Sequence, residues 1–345
     1  MSCAMSQAPL VTVVLPTRNR PHYLREALAS ASRQSYGNME VLVRDNASTT
    51  ETRRVVESFS DSRIRYFRHA ANVGPTENVI GACREARGDF VASLHDDDVW
   101  EPDFLEKLVP PLEANSAAVI AFSDHYIIDA AGNIDPAKTH RNTYRWRRHL
   151  LKPGLHCPLH RIAVVDKSIP LSMAAVVRRS AIDWNDVPNL PSSYDLWLMY
   201  LVCRDGQAGF YVPERLTRYR VHRGSETALA RMRLDQGYIA CYEQMLEDER
   251  METVWPDLRI ELARACTDLG VTLVRRGQVA EGRPYLRRGL ELRCTPRALA
   301  LYLLSFAPVL LPGRVTEVPS ADPDESSSMF PISEPRPQAR ITVAG

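Results

Sequence analysis

The first third of the chain alternates two hydrophobic patterns. Short apolar, β-branched runs at Leu10–Leu15, Glu40–Arg44, Ile64–Phe67, Phe90–Leu94 and Val119–Phe122 are bounded by turn residues and are predicted strands. Between them, apolar positions recur at helical spacing. After Pro21 the residues Leu24, Leu28 and Ala31 share one face, and a proline is well placed in the first turn of a helix. Pro75 and Pro102 are expected to open two further helices in the same way. Strands alternating with helices bury a parallel sheet between helical layers, so an α/β fold with a Rossmann-like, mostly parallel sheet is predicted. The segment Asp129-Ala-Ala-Gly132-Asn133 reads as a tight turn after the fifth strand.

The alternation breaks over residues 137–168, where Arg141, Arg145, Arg147, Arg148, Lys152 and Arg161 are interleaved with Tyr144, Trp146 and several histidines. A solvated connector is expected there, with a flexible basic lid over an anionic leaving group as the functional alternative. A strand-like run at Ala174–Arg178, a helix near Asp195–Arg204 and a second strand-like run at Gly209–Tyr219 follow. From Glu226 the pattern turns helical. Ala263–Leu292 resembles a single tetratricopeptide-like hairpin, which cannot bury its own face and must pack on the preceding domain or on a partner. The expected organisation is a disordered start at 1–9, an α/β domain at 10–225, a helical C-terminal extension at 226–312 and a disordered tail rich in proline and serine at 313–345.

Composition narrows the classes of function. The 345 residues are 45% apolar, enough for a sizeable core, and 43 Lys and Arg against 42 Asp and Glu leave a formal charge of +1. No overall field draws the chain to nucleic acid, so any electrostatic function must be local. Seven scattered cysteines without a CxxC pair fit a reducing, cytoplasmic setting, and the first nine residues lack the basic start and apolar core of a secretory signal. The longest apolar stretch, Ala298–Pro312, holds Pro308 and Pro312 and falls short of the roughly 20 residues of a spanning helix. It is read as a buried or interfacial helix, which leaves peripheral contact with the inner face of a membrane as the one membrane role.

The candidate chemistry gathers where the predicted strands end. The first strand delivers Pro16-Thr17-Arg18-Asn19-Arg20 and the second Arg44-Asp45-Asn46-Ala47-Ser48, and ligands of parallel sheets collect at the carboxyl ends of strands. A carboxylate at Asp45 can accept from a pyrimidine N–H or a ribose hydroxyl, although Asp after a strand is also an ordinary turn former. The fourth strand delivers His95-Asp96-Asp97-Asp98. Three adjacent carboxylates behind a buried strand repel one another unless a cation neutralises them, and oxygen ligands suit Mg²⁺ or Mn²⁺. The plainer reading is an acidic start to the helix after Pro102. A dinucleotide oxidoreductase is disfavoured, because no GxGxxG follows the first strand.

The ordered set Val13-Val-Leu-Pro-Thr17-Arg-Asn19, Val43-Arg-Asp45-Asn-Ala-Ser48, Asn72-Val-Gly74 with Asn78, Gly88-Asp89 and Leu94-His-Asp-Asp-Asp-Val-Trp-Glu-Pro102 closely resembles the family 2 glycosyltransferases of GT-A fold over about residues 9 to 225. The resemblance implies an inverting transfer of a hexosyl-type sugar from a nucleoside diphosphate sugar, UDP or TDP in preference to GDP, to an acceptor hydroxyl in bacterial-type glycan synthesis. It places Pro16, Thr17, Arg18, Asn19, Asp45, Asn72, Gly74, Asn78 and Asp96 around the nucleotide. It puts Asp97, Asp98 and His222 (in Tyr219-Arg-Val-His222-Arg-Gly-Ser225) on a Mg²⁺ or Mn²⁺ ion. His95 departs from the Asp usual at the head of the acidic motif. The family's catalytic base precedes an Asp-Leu-Trp-Leu run; here Ser192 and Ser193 replace the usual acidic pair, so Asp195 is the candidate base and Asp186 its substitute. The same departure leaves a catalytically inactive nucleotide-sugar-binding protein as the alternative.

Overall fold

The computed structural model of the chain describes residues 8–190, 193–222 and 231–306, with side chains undescribed at 231–234. The predicted disordered tail at 313–345, the first seven residues, Ser192 and the run Arg223 to Ser225 lie outside the described residues.

The strand and helix alternation is as the pattern predicts. In chain order the first half runs β1 (Val11–Thr17), α1 (Pro21–Ser32), β2 (Met39–Asp45), α2 (Thr50–Glu57), β3 (Ile64–Arg68), α3 (Pro75–Glu85), β4 (Phe90–Ser93), β5 (Val99–Trp100), α4 (Phe104–Ala114) and β6 (Ala118–Ile128). The second half runs α5 (Pro136–Arg145), β7 (Gly154–His156), α6 (Leu171–Ala174), β8 (Ala175–Arg178), α7 (Tyr194–Cys203) and β9 (Ala208–Arg220). It closes with α8 (Arg231–Glu247), α9 (Trp255–Arg275), α10 (Val279–Leu292) and α11 (Pro296–Leu304). Two boundaries differ from expectation. The helix after Pro102 begins at Phe104, because Val99 and Trp100 first form a short strand paired with Arg218 and Thr217 of β9. The fifth predicted strand continues to Ile128, and only then comes the predicted turn, closed by Asp129 N–H donating to Asn133 O, with Gly132 at φ +91°.

Nine strands form one sheet, eight of them in the order β3-β2-β1-β4-β8-β6-β9-β5, with β7 pairing with β9 off that path. β1, β2, β3 and β4 are mutually parallel, as are β6 and β9, whereas β8 is antiparallel to both β4 and β6. After β1 the chain builds outward through β2 and β3, then returns to place β4 on the other side of β1. Such a reversal opens a crevice at the carboxyl ends of the strands. Register aligns what is delivered there: Thr17 lies opposite Asp45, and Asp45 opposite Arg68.

Residues 137–168 are the expected solvated connector in most of their cations, Arg141, Arg145, Arg147, Lys152 and Arg161 being exposed, but they are structured and Arg148 departs from the expectation. They form α5, β7 and a π-type turn at Arg161–Val165, and Arg148 is 2% exposed. The cause is Asp124, a buried carboxylate on β6 that needs a cation: Arg148 Nε donates to its Oδ1 at 2.6 Å and Thr143 Oγ1 to its Oδ2 at 2.7 Å. Next to this pair His125 is also buried, and neither ring nitrogen finds a hydrogen bond of standard geometry among the described residues.

The C-terminal helices are part of the main core. One continuous apolar cluster contains Val14 and Leu42 of the sheet, Leu198 and Met199 of α7, Tyr242 and Met245 of α8, and Leu258, Leu262 and Leu269 of α9. The predicted hairpin is α9 and α10, which approach closely because glycines face each other: a Cβ at Gly270 would stand 2.8 Å from Gly282 O, and one at Gly282 2.7 Å from Gly270 O. No helix among the described residues is long and apolar enough to cross a membrane.

Arg148→Met leaves Asp124 buried without its guanidinium, and urea unfolding is expected to show a loss of about 3–5 kcal/mol, as when one partner of a buried ion pair is removed. His125 carries a pH dependence. Burial, reinforced by Arg148, holds its pKa down from 6.5 to about 3, so the native ring stays neutral where the unfolded chain takes up a proton. Stability is therefore lost as the pH falls from 6.5 toward 3. His125→Phe should flatten that loss in unfolding curves recorded across this range; an unchanged slope would contradict the assignment.

Candidate active site

The carboxyl end of β1 and the acidic run after β4 are tied together side chain to side chain. Leu94 N–H donates to Val14 O, which brings residues 95–98 beside the end of β1. Thr17 Oγ1 then donates to Asp96 Oδ2 at 2.8 Å, and Arg18 N–H reaches the same oxygen at 3.4 Å. Arg20, the last residue before α1, bridges the run, with Nη1 3.1 Å from Asp96 Oδ1 and 3.0 Å from Asp97 Oδ2. From the far end of the chain, β9 delivers Arg220, whose N–H donates to Asp98 Oδ1 at 2.9 Å and whose Nε donates to Asp97 O at 2.8 Å. Its Nη2 reaches Glu26 of α1 at 2.6 Å. Two residues on, His222 Nε2 stands 2.9 Å from Asp97 Oδ2, its ring tilted against Tyr23.

All three aspartates are buried. Burial pushes Asp96 up to about 6, although Arg20 opposes the shift. Burial and the charge of Asp97 push Asp98 well above the usual carboxylate range. Asp98 Oδ2 is buried and has no hydrogen-bond partner among the described residues. A buried carboxylate oxygen in this state seeks a proton or a metal ion. The donor set fits a divalent cation: His95, Asp97 and Asp98 each offer one ligand atom, all within 4.8 Å of one another, with His222 adjoining through Asp97. Of the expected trio, Asp97 and Asp98 fall within this group together with His95, whereas His222 lies outside it and adjoins it through Asp97.

Asp45 is fully buried at the end of β2, and both its oxygens are engaged. Oδ1 accepts Ser48 N–H at 2.8 Å, and Oδ2 accepts the Tyr66 hydroxyl at 2.5 Å, with Arg68 Nε 4.0 Å away. Its oxygens thus serve the turn after β2 and the anchoring of β3. Asn19 and Ala47 take left-handed backbone (φ +53° and +59°), and Asn19 N–H donates to Ser48 Oγ, locking the loop after β1 to the loop after β2. Pro16 is a strand residue opposite Arg44. Asn72 Oδ1 accepts from Asn46 Nδ2 and Gly74 N–H, with Gly74 at φ +85°, a conformation that favours glycine, just before α3. Asn78 is buried, its amide donating to Arg44 O, so it ties α3 to β2.

Asp195 sits in the first turn of α7, partly buried, and burial raises its pKa. Its charge is felt by Tyr238 and Cys241 of α8 and is eased by Lys167. No hydrogen bond or ion pair among the described residues joins it to the acidic run; the link is its neighbour Tyr194, whose hydroxyl lies 2.9 Å from His95 Nε2. Asp186 is exposed and pairs with Arg204 at 3.4 Å.

Sequence reasoning left Arg20, Glu26, Tyr66, Tyr194 and Arg220 without a role. Arg20 and Arg220 stood inside quoted motifs, but many arginines precede helices or end strands, and only the fold shows which carboxylates they meet. A separate cavity of about 340 Å³, lined by Arg25, Glu26, Arg33, Arg218 and Arg220 among others, borders Arg220 without including the predicted nucleotide residues.

Comparison with known proteins places this arrangement. The family described as glycosyl transferase family 2 matches residues 12–169. An uncharacterized glycosyltransferase of Rickettsia typhi is 24% identical over 239 residues, 66% of this chain and 69% of that protein. The Escherichia coli UDP-Glc:alpha-D-GlcNAc-diphosphoundecaprenol beta-1,3-glucosyltransferase WfgD is 32% identical over 120 residues, 35% of this chain and 47% of its own length. Among solved structures, residues 1–349 of S. aureus TarS in complex with UDP-GlcNAc superimpose with a TM-score of 0.64 at 17% identity, covering 86% of this chain and 87% of that one. At that identity the likeness establishes the fold, which is GT-A. Sequence match and fold agree with the motifs at the strand ends, and the match to the family 2 glycosyltransferases covers residues 12–169.

Proposed function

We propose that this protein is an inverting transferase that moves a sugar from a nucleoside diphosphate sugar to an acceptor hydroxyl with Mg²⁺ or Mn²⁺, in the synthesis of a bacterial-type glycan or glycoconjugate at the cytoplasmic side of a membrane. The observation that carries this reading is the buried acidic run beside Thr17, at the carboxyl ends of parallel strands, with Asp98 Oδ2 unsatisfied among the described residues. A site of this kind is built for a ligand that arrives with its own cation, as a nucleoside diphosphate does. The likeness to UDP-binding TarS and to WfgD supports a UDP-type donor.

In this reading Asp45, held rigid by Ser48 and Tyr66, faces the base; Thr17 and Asp96 border the ribose; Pro16, Arg18, Asn19, Asn72 and Gly74 shape the loops around them, with Asn78 fixing the strand behind. Asp97, Asp98 and His222, with His95 beside them, would hold the ion, which supplies Lewis-acid stabilisation of the diphosphate leaving group. Arg20 and Arg220 hold the carboxylates in place from two sides. Asp195 takes the proton of the acceptor hydroxyl as its oxygen forms a bond to the anomeric carbon and the nucleoside diphosphate departs from the opposite face. One displacement of this kind inverts the anomeric centre. The raised pKa of Asp195 suits a base, and such catalysis contributes about 10²- to 10⁴-fold.

Two measurements test the reading. Calorimetric titration with UDP, TDP and GDP, each with and without Mn²⁺, should show metal-dependent binding of UDP or TDP that Asp97→Ala abolishes; no binding by a folded protein would overturn it. Asp195→Asn should keep that binding while lowering kcat by about 10²- to 10⁴-fold for transfer to acceptor. Intact binding with no transfer by the wild type to any hydroxyl acceptor would instead favour a nucleotide-sugar-binding protein.

A further inference from the structure

Outside the donor site, the surface with the most one-sided chemistry is the segment that leads from α5 to β7. Between Asp135 and Asp166 there is no Asp or Glu, whereas seven Lys and Arg fall in 137–161. Four of those seven have carboxylate partners: Lys138 with Asp135, Arg147 with Asp166, Arg148 with Asp124, and Arg161 with Asp257. Arg141, Arg145 and Lys152 form no ion pair among the described residues, although Asp135 feels the charge of Arg141, and all three are exposed. Among them stand three large apolar side chains turned to water: Tyr144 at 51%, Leu150 at 64% and Leu155 at 51% exposure.

The patch is rigid. Tyr144 is stacked against His149 at 4.0 Å and lies 4.4 Å from His140. Arg145 lies over Trp146, and Leu151 packs into the main core. Leu155 stands on β7, paired with Phe210 of β9, so the sheet fixes it. Ordered apolar residues held outward among unneutralised cations are costly for a protein that meets only water. They match a surface that is anionic at its face and apolar just beneath, where leucine and tyrosine enter the headgroup boundary while Lys and Arg meet phosphate.

We propose that this patch of Arg141, Tyr144, Arg145, Leu150, Lys152 and Leu155 docks the protein on an anionic lipid bilayer. The inference does not depend on the donor chemistry above. Each basic residue beside an anionic surface is worth about five-fold in partitioning, so the three together account for roughly a hundred-fold, and the attraction weakens with salt.

The test is co-sedimentation of the full chain with vesicles of phosphatidylcholine alone or mixed equally with phosphatidylglycerol. The wild type should sediment with the mixed vesicles, stay in solution with phosphatidylcholine alone, and be released by salt. Leu150→Glu with Leu155→Glu, and separately Arg141→Glu with Arg145→Glu, should lower partitioning at least ten-fold with unchanged thermal unfolding midpoints. Arg53→Glu, an exposed change on α2, should leave it unaltered. Absence of wild-type binding would overturn the proposal, as would equal binding by the patch variants. Binding of a single-stranded oligonucleotide through these residues, with none to vesicles, would assign the patch to nucleic acid instead.

Discussion

Three carboxylates in consecutive positions, taken out of water at the end of β4, are the constraint around which this molecule is arranged. Left alone they would repel one another and expel the loop from the core. The fold answers from three directions: the end of β1 supplies Thr17 and Arg20, the end of β9 supplies Arg220 and His222, and α1 supplies Glu26 to hold Arg220. Those partners lie 76 to 125 residues from the acidic run in sequence. The reversal of strand order around β1 and the unusual length of β9 are what allow them to meet. Even so, Asp98 Oδ2 has no hydrogen-bond partner among the described residues. The protein groups neutralise the site incompletely, which is the condition for binding a charged ligand there rather than merely surviving without one.

Much of the fold was legible because its rules are local. Strand runs, prolines at helix starts and the Gly132 turn each follow from a few neighbouring residues. The acidic run was legible for a related reason: three adjacent aspartates have few plain explanations. What could not be read was pairing across distance. Val99 and Trp100 form a strand only because β9 offers them a partner, and no two-residue window announces that. Arg148 appeared as one cation in a basic, solvated stretch; its burial depends on Asp124 of β6, which carried no signal of being buried. Arg20 and Arg220 were in plain view within motifs, but their roles are set by the carboxylates opposite them.

The candidate base illustrates the same limit from the other side. Asp195 is the carboxylate nearest to the place where the resemblance puts the base, which Ser192 and Ser193 hold, and its electrostatic neighbours include Lys167 and two residues of α8. Lys167 in turn pairs with Glu261 of α9 at 3.2 Å. The C-terminal helices share the main core and set the environment of this carboxylate, so the boundary suggested by the change of pattern at Glu226 does not separate catalytic from accessory parts. The close contact of Gly270 and Gly282 serves that arrangement by letting α9 and α10 act as one rigid slab.

β9 carries a geometric consequence. One stretch of backbone pairs with β7 at Phe210, beside Leu155, and ends at Arg220 against Asp98. β9 bulges against β6 between Val212 and Thr217, so the partner strand covers the same distance in the seven steps from Ala121 to Ile128, which at about 3.3 Å per residue is roughly 23 Å. The outward leucines and the acidic run are therefore held apart by a molecular ruler. An acceptor anchored in the plane those leucines enter would have to present its reactive hydroxyl at a set height above that plane, so selectivity could be written in the length of the acceptor as well as in its chemistry.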